Sequence, residues 1–487
     1  MTLLRDSTLY FTGNVVARVV SFFMIPFYAR HLSTAQYGVL NLVELATTIT
    51  AIVFGLQSVG QTLTRVYHDQ PDEAARRRVV ATALFGTGVA AIAVALAAVA
   101  AARPIALAIN LPDQVQLLRA SFVAMVFATL VELLLVYQRM RGRARFFLAY
   151  SLVTLAANVA LNVWFIGFLH FGVMGFVSSK LAVAGLGSVF LLVVVAREVG
   201  LSPVWRHGVA LVRFGAPLAL SGACYFTIHF SDRLFLAHVS QAEVGVYSMA
   251  YTFAMLLSVL VGDSFGKSWN VSFYKFAEGD GWQDRFMRIG GWLVFVLAAA
   301  AMGIAVFGRD TLRVMVPHSY LPPLLLLPLL VFGYFFRELG DFFRNMLLID
   351  IGSGLVGRIA VLGAAINLVL NFLLIGGPFG LGIWGAAIAT FLTWLLYCGV
   401  CWVAAVRLHR VDFRLWPLLR LLALGALALF VQAAWRPESR FLALASDCVV
   451  WSGFFLASLV LYLGAAERRE FFGFARRGWQ SSVAAIR

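Results

Sequence analysis

The sequence predicts an all-α polytopic membrane protein with about fourteen transmembrane helices. Of its 487 residues, 61% are hydrophobic and only 13% are charged, and the mean hydropathy is +0.88. Soluble globular domains carry about 25% charged residues, and repeated apolar runs of roughly 20 residues are typical of membrane-spanning helices. The run VVATALFGTGVAAIAVALAAVAAA, which begins at Val79, does not alternate between apolar and polar residues, and this disfavours a β-barrel.

The apolar runs define the predicted spans one after another. They lie near 7–30, 37–64, 79–101, 115–138, 146–168, 172–196, 210–238, 245–269, 288–307, 322–346, 355–376, 381–406, 415–434 and 442–465. The first run contains Asn14 and Arg18 and lacks a small-residue cleavage site. We therefore expect it to remain in the protein as the first span.

The net charge of +15 is distributed unevenly among the loops. Alternate loops carry clusters of arginine, such as residues 76–78 and 139–145, whereas the intervening loops carry few basic residues and are short. Because cytoplasmic loops are enriched in Lys and Arg, this pattern predicts that both termini are cytoplasmic. The basic charge is then a sign of topology, and we expect no nucleic-acid partner.

The first half of the chain is repeated in the second half. The segment HLSTAQYGV (31–39) recurs as HVSQAEVGV (238–246), 207 residues later, and ANVALNVWFIG (157–167) recurs as INLVLNFLLIG (366–376), 209 residues later. Six helices per copy imply a parallel repeat about an axis along the membrane normal, an arrangement in which two lobes enclose a cavity. We predict an N-lobe at 1–205, a C-lobe at 206–410, and two further helices with a basic tail at 411–487.

Several predicted spans contain ionisable residues, which are costly in lipid and usually face a cavity or a partner. The cations suit an anionic substrate such as a phosphate, and they are Arg18, Lys180, Arg233, Lys267, Arg337 and Arg344. The acids are candidates for binding a coupling proton or Na⁺, and they are Glu44, Glu132, Asp232, Asp263, Glu338 and Asp341. The alternative is structural ion pairing within a lobe. On their own helices Arg18 and Lys180 have no acidic residue within one turn, which favours a cavity role for them.

The segment RELGDFFRN (337–345) places four charges next to a long apolar run. The repeat maps it onto 130–138 in the fourth span, so we predict that it lies inside the tenth span rather than in a loop. Helical spacing puts Arg337, Asp341 and Arg344 on one face. Phe342 and Phe343 then point toward lipid or neighbouring helices.

Two stretches resemble a known family of transporters. ARVVSFFMIPFYARHLSTAQYGVLNL (17–42) and INLVLNFLLIGGPFGLGIWGAAIATFLTW (366–394) resemble the Wzx-type flippases for O-antigen and exopolysaccharide, within the multidrug/oligosaccharidyl-lipid/polysaccharide superfamily. The resemblance implies alternating access and export of an undecaprenyl-diphosphate-linked oligosaccharide across the bacterial inner membrane, for surface polysaccharides such as lipopolysaccharide. It also implies that Arg18, Lys180 and Arg337 contact the diphosphate or acidic sugars.

The number of spans leaves the branch of this superfamily open. Such flippases typically have twelve spans, whereas lipid II flippases have fourteen, with extra helices that form a groove for the lipid tail. LLALGALALFVQAAW (421–435) and VVWSGFFLASLVLYLG (449–464) are the candidate helices for such a groove here, and plain structural packing is the alternative role. A multidrug or cation antiporter of the same superfamily is the third alternative.

We do not expect an enzyme. The sequence contains no paired carboxylates on an external loop, no metal-ligand cluster, no phosphate-binding loop and no nucleophile elbow. We expect no catalytic residue, metal or cofactor, apart from a coupling H⁺ or Na⁺. The expected partners are the lipid-linked glycan and the bilayer, with a polysaccharide polymerase and a chain-length regulator as candidate protein partners, and the expected state is a monomer.

Overall fold

Long apolar segments in lipid fold into helices because every backbone N–H and C=O group must be satisfied within the segment. The computed structural model describes the chain apart from residues 1, 201, 267–268, 270–272, 274–280, 351–352, 410, 412, 414, 436, 438, 465–466 and 470–487. Side chains at 2–12, 14–15, 221, 349–350, 353 and 440 are also outside the description. The described residues are almost entirely helical, which confirms the predicted all-α class.

The α-helices are numbered in chain order. They are α1 Thr2–His31, α2 Thr34–Val53, α3 Val59–His68, α4 Glu73–Ala100, α5 Ala102–Ala108, α6 Val115–Met140, α7 Ala144–Asn162, α8 Gly172–Val199, α9 Trp205–Ala237, α10 Gln241–Leu257, α11 Trp282–Met315, α12 Leu326–Asp350, α13 Ser353–Asn371, α14 Gly382–His409, α15 Leu415–Ala434 and α16 Arg440–Leu461. Short π-helical turns continue α7, α10 and α13, at Val163–Phe168, Ser258–Gly262 and Phe372–Gly376.

Local sequence signals determine where several helices begin. Ser33 caps α2, since its hydroxyl accepts a hydrogen bond from the backbone N–H of Gln36 and the Gln36 side chain accepts one from the backbone N–H of Ser33. Asp72 caps α4 by accepting from the backbone N–H of Ala75 at 2.6 Å. Both caps satisfy N–H groups that the first turn of a helix leaves without partners.

A helix lies at each of the fourteen predicted spans, and within the described residues twelve are long and apolar enough to cross a membrane. The chain is therefore a multi-pass membrane protein. α12 falls outside the twelve because Arg337, Glu338, Asp341 and Arg344 interrupt its apolar sequence. The count of fourteen and the cytoplasmic position of both termini stay predictions.

The chain divides into two compact units. Unit 1 comprises Met1–Ser248, Met315–Tyr320 and Leu368–Ala386, and unit 2 comprises Met249–Val314, Leu321–Asn367 and Ala387–Arg487. In unit 1, α3, α4, α6 and α8 share an apolar core that includes Leu63, Val79, Leu134, Leu191 and Val195. The predicted lobes were defined by the sequence repeat and not by compactness, so they are not the same as these two units. Their boundaries stay predictions.

The internal repeat has a structural counterpart in unit 1. The π-turns that begin at Val163 and Phe372 are 209 residues apart, as are the matching sequences. After each of them comes a glycine with positive φ, Gly172 at 55° and Gly382 at 52°. Two copies of one sequence pattern thus adopt one unusual backbone geometry.

Polar contacts hold the two C-terminal helices to another helix within unit 2. The Gln432 side chain on α15 donates to the backbone oxygen of Val306 on α11 at 3.1 Å and to the carboxylate of Asp447 on α16 at 2.7 Å. The Trp451 indole on α16 donates to the backbone oxygen of Ala299 at 3.0 Å. Interhelical hydrogen bonds of this kind hold membrane helices together, because lipid provides no hydrophobic driving force for their association.

Candidate functional site: two charged cavities

The first charged cavity lies within unit 1, between α2, α6 and α8, and we call it the Lys180 cavity. Its volume is about 160 Å³, and its ionisable lining residues are Glu44 from α2, Glu132 from α6 and Lys180 from α8. The ammonium of Lys180 donates to the Glu44 carboxylate at 2.6 Å. These two side chains remain 44% and 41% exposed, so water reaches the pair.

Neutral polar side chains complete the lining of the Lys180 cavity. They are Thr47, Thr48, Gln57, Ser121 and Thr129. The four hydroxyl groups donate their hydrogens to backbone oxygens of their own helices at 2.8–2.9 Å. A hydroxyl whose hydrogen is already donated offers only oxygen lone pairs to the cavity. The lining is therefore rich in acceptors.

The second charged cavity lies within unit 2, between the end of α10, α11 and α12, and we call it the Arg337 cavity. Its volume is about 210 Å³, and its charged lining residues are Asp263, Arg337, Glu338, Asp341 and Arg344. The predicted charged face of 337–345 is thus part of a helix, and it faces this cavity. Phe342 and Phe343 are buried, so they contact neighbouring helices rather than lipid.

Four charges of the Arg337 cavity form one connected network, which comprises Arg337, Glu338, Asp341 and Arg344. Arg337 pairs with Glu338 at 3.0 Å and lies 3.9 Å from Asp341, and Arg344 pairs with Asp341 at 3.0 Å. The hydroxyl of Ser258 donates to Glu338 and accepts from Arg337 at 2.8 Å, and Tyr397 donates to Asp341 at 2.8 Å. The Arg337 guanidinium is therefore held on several sides by acceptors.

Backbone geometry brings the end of α10 close to Glu338. A Cβ atom at Gly262 would lie 2.1 Å from a carboxylate oxygen of Glu338, so any side chain there would displace this oxygen. Gly262 ends the π-turn that carries Ser258. The turn and its glycine together allow Ser258 and Glu338 to meet.

The predicted site residues fall into two groups and a remainder. Glu44, Glu132 and Lys180 meet in the Lys180 cavity. The helix that carries Lys180 has no acidic residue within one turn of it, and its acidic partner is Glu44 on α2. Asp263, Arg337, Glu338, Asp341 and Arg344 meet in the Arg337 cavity.

Among the described residues, three predicted side chains lie outside both linings. Arg18 is exposed on α1. Asp232 and Arg233 are buried in unit 1, where Tyr247 donates to Asp232 and Arg233 donates to the Ser248 hydroxyl at 3.0 Å. Lys267, which was predicted with them, lies outside the described residues. Its role stays a prediction.

The structure adds polar residues that the sequence analysis did not select. Ser258 and Tyr397 complete the Arg337 network, and Gln57 lines the Lys180 cavity. In unit 1 the Asn371 side chain donates to Ser231 at 2.9 Å, and in unit 2 Asn367 donates to Thr393 at 3.1 Å. A single polar residue within an apolar helix is only a weak sequence signal, because it does not show which partner the side chain meets.

The two copies of the repeated motif pack directly on each other in unit 1, and we call this the motif contact. A Cβ atom at Gly38 would lie 2.0 Å from the backbone oxygen of Gln241, and one at Gly245 would lie 2.0 Å from that of Thr34. Gly38 and Gly245 are 207 residues apart, as are Thr34 and Gln241. The contact is therefore reciprocal, as expected for parallel repeats about a common axis.

Two side chains from connecting segments reinforce the motif contact. Asn110 donates to the backbone oxygen of Ala237 at 2.7 Å, and Tyr320 donates to that of Leu32 at 2.8 Å. Burial raises the pKa of the Tyr320 hydroxyl above its usual range, so the hydroxyl remains a protonated donor. Each hydrogen bond ties a connecting segment of one repeat to the end of the first helix of the other.

The sequence matches the family model of polysaccharide biosynthesis proteins over residues 27–280, just over half of the chain. A comparison with curated protein sequences finds no match.

Several solved structures share the fold at low sequence identity. The lipid II flippase MurJ in an inward closed conformation has a TM-score of 0.73 and 12% identity, over 93% of this chain and 98% of MurJ. A multidrug resistance MATE family transporter of the MOP superfamily, inward-facing, has a TM-score of 0.62 and 15% identity, over 79% of this chain and 92% of its own. A MOP superfamily transporter from Pyrococcus furiosus has a TM-score of 0.58 and 15% identity, over 85% and 96%. At these identities the similarity concerns the fold.

Proposed function

Because the chain belongs to the family of polysaccharide biosynthesis proteins, we propose that it is a flippase for a polyprenyl-diphosphate-linked oligosaccharide. It moves this substrate across the bacterial inner membrane by alternating access and supplies the synthesis of a surface polysaccharide. One combined observation carries the proposal: a polysaccharide biosynthesis sequence has the fold of MOP-superfamily transporters. A transporter of this kind makes and breaks no covalent bond, so the protein is not an enzyme.

The Lys180 cavity, whose ion pair is exposed to water, supports transport of a polar substrate. Charged groups within spans usually line substrate or ion pathways. The exposed Arg18 and the half-exposed Lys180 are the proposed contacts to the diphosphate, whose charge suits both cations. Arg337, which the resemblance also suggests, is held inside the Arg337 network, so we give it a structural role.

The motif contact supports alternating access. Two helices whose backbones touch at paired glycines can separate without leaving cavities behind, because glycine has no side chain to extract from a partner. We propose that the motif contact closes one side of the substrate path and opens when that side is exposed. In the predicted topology this is the outer side.

Similarity to MurJ extends over 93% of this chain and makes lipid II the second candidate substrate. The two C-terminal helices expose large apolar side chains such as Phe430 and Phe441. Such a surface suits a lipid tail as well as plain contact with the bilayer. The choice between the two substrates rests on experiment.

Deletion of the gene tests the proposed function. We expect loss of surface polysaccharide, accumulation of polyprenyl-linked oligosaccharide on the cytoplasmic face, and restoration of export by the wild-type chain. Failure of cell-wall synthesis with lysis would instead favour lipid II. Normal surface polysaccharide and a normal wall, in a strain without a second flippase, would overturn both substrates.

Thiol labelling tests the proposed role of the motif contact. In a background without the four native cysteines, we expect Tyr37→Cys to react slowly with a membrane-impermeant reagent, because Tyr37 is buried against Tyr320. Adding Gly38→Val should speed labelling and abolish export, since any Cβ at Gly38 meets a backbone oxygen. Gly86→Val is the control, because a Cβ there meets nothing within 4 Å. Unchanged labelling and export in the Gly38 variant would contradict the role.

A further inference from the structure

Two arginines in the segment between α6 and α7 are balanced by carboxylates of neighbouring helices. Arg141 pairs with Glu73 in the first turn of α4, and Arg143 pairs with Glu198 near the end of α8. The positive charges of this segment are therefore offset within unit 1. A second group of cations in unit 1, one turn further along α4, has no such partners.

This second group comprises Arg78 on α4 and Arg206 and His207 in the first turn of α9, and we call it the Arg78 cluster. On its own helix neither arginine has an acidic residue within one turn, and the chain contains none between Glu198 and Asp232. Within the described residues neither arginine takes part in an ion pair. Thus no carboxylate of the described chain offsets the positive charge of the cluster.

A single hydroxyl group joins α4 to the start of α9. The Thr82 hydroxyl donates to the backbone oxygen of Arg78 at 2.6 Å and accepts from the backbone N–H of Val204 at 2.8 Å. A Cβ atom at Gly208 would lie 3.7 Å from the Thr82 methyl group. The first turn of α9 therefore packs beside the second turn of α4. As expected from this packing, the charges of both arginines act on the His207 imidazole.

The surroundings of the Arg78 cluster are typical of a membrane–water interface. Trp205, the residue before Arg206, is 86% exposed, and tryptophan is enriched where its ring can lie among lipid headgroups. Arg78 and Arg206 are exposed as well. The predicted span of α9 begins at 210, only a few residues further on. The cluster thus lies at the depth of the phospholipid phosphates.

We propose that the Arg78 cluster binds the phosphate group of an anionic phospholipid, such as phosphatidylglycerol, with Trp205 beside it in the headgroup layer. Each guanidinium can donate paired hydrogen bonds to phosphate oxygens, and the His207 imidazole adds a further donor. The lipid supplies the negative charge that the described chain does not, and it bridges α4 and α9. In the predicted topology this lipid belongs to the cytoplasmic leaflet. The inference does not depend on which substrate the protein transports.

The experiment measures the response of the purified full-length protein to an anionic lipid. Thermal denaturation midpoints are recorded in mixed micelles as phosphatidylglycerol replaces phosphatidylcholine at constant total lipid and ionic strength. We expect the midpoint of the wild type to rise with phosphatidylglycerol. In Arg78→Gln and in Arg206→Gln the apparent affinity for this lipid should fall about fivefold, as for the loss of one basic residue near an anionic surface.

A matched control separates a site from general attraction between a basic protein and an anionic surface. Arg65→Gln removes one positive charge as well, but Arg65 pairs with Asp69 at 3.4 Å. We expect this variant to respond to phosphatidylglycerol like the wild type. An equal loss of affinity in Arg65→Gln and Arg206→Gln would overturn the site, as would a wild type that does not respond to phosphatidylglycerol.

Reversing one charge tests whether an anion relieves repulsion within the cluster. Arg206→Glu places a carboxylate beside Arg78, so we expect its midpoint in phosphatidylcholine alone to exceed that of the wild type. Phosphatidylglycerol should no longer raise it. A lower midpoint than that of the wild type in phosphatidylcholine, or an unchanged response to phosphatidylglycerol, would contradict the electrostatic basis of the site.

Two further probes identify the source of the phosphate. Inorganic phosphate and a polyprenyl diphosphate are each added to the protein in phosphatidylcholine micelles. We expect neither to raise the midpoint through Arg78 and Arg206. A response to inorganic phosphate but not to phosphatidylglycerol would overturn the lipid as the partner. A response to polyprenyl diphosphate that is lost in both Gln variants and saturates at lower concentrations than phosphatidylglycerol would assign the cluster to the proposed substrate instead.

Discussion

The Lys180 cavity and the Arg337 cavity both contain cationic side chains and carboxylates, but these charged groups differ in their exposure to water. In the Arg337 network the side chains of Arg337 and Glu338 are 12% and 10% exposed, and the Ser258 hydroxyl accepts a hydrogen bond from Arg337 and donates one to Glu338. Lys180 and Glu44 are several times more exposed. Water access therefore separates a fixed network, in which loss of one partner is costly, from a pair that can exchange partners.

Arg337→Met is the strongest way to test the fixed character of the Arg337 network. The variant leaves Glu338 and Asp341 without their shared cation, so we expect a loss of about 3–5 kcal/mol in the free energy of unfolding. Equilibrium unfolding by SDS in mixed micelles measures it. Adding Glu338→Gln to this variant should recover part of the loss, and a near-neutral Arg337→Met would contradict the description of a dehydrated network.

Tyr397→Phe removes one hydrogen bond from the same network without changing its charges. The phenol donates to the Asp341 carboxylate at 2.8 Å, and a hydrogen bond to a charged group contributes about 1.5–3 kcal/mol. We expect a loss of that size in the same unfolding assay. If Tyr397→Phe lowers the stability as much in an Asp341→Asn background as in the wild type, the loss is due to packing and not to the hydrogen bond.

Gly262→Ala tests the close approach of α10 to Glu338. The added methyl group would displace a carboxylate that Arg337 and Ser258 hold, and we expect a loss of about 1–3 kcal/mol, as for overpacked sites. Gly266→Ala, four residues further on, is the matched control, because a Cβ there meets nothing within 4 Å. Equal stabilities of the two variants would refute the contact.

Lys180→Met is expected to have the smallest effect on stability and a large effect on transport. A water-exposed pair contributes about 1 kcal/mol or less, so the protein should fold and reach the membrane at normal levels. Export of surface polysaccharide should be lost, because the proposed contact to the diphosphate is gone. Wild-type export at a normal protein level would show that the exchangeable pair is not needed for transport.

The sequence also identified most of the residues that these experiments change. An ionisable residue in an apolar run is conspicuous, and all of the charged residues that line the two cavities had been selected on that basis. It missed Ser258, Tyr397 and Gln57, since a single hydroxyl or amide in a helix carries no distinctive pattern. It also could not pair Lys180 with Glu44, which are 136 residues apart.

Periodicity and repetition in the sequence determined the class of this protein, the positions of its helices and the existence of two related halves. These properties can be inferred from local sequence or from comparison of the chain with itself, because the length of an apolar run defines a span and repeated motifs fold alike. Tertiary structure alone decided which charges meet and how much water reaches them. Both depend on the packing of helices distant in sequence, and at RELGDFFRN that packing encloses Arg337 in a network, whereas at Lys180 it leaves an exposed pair.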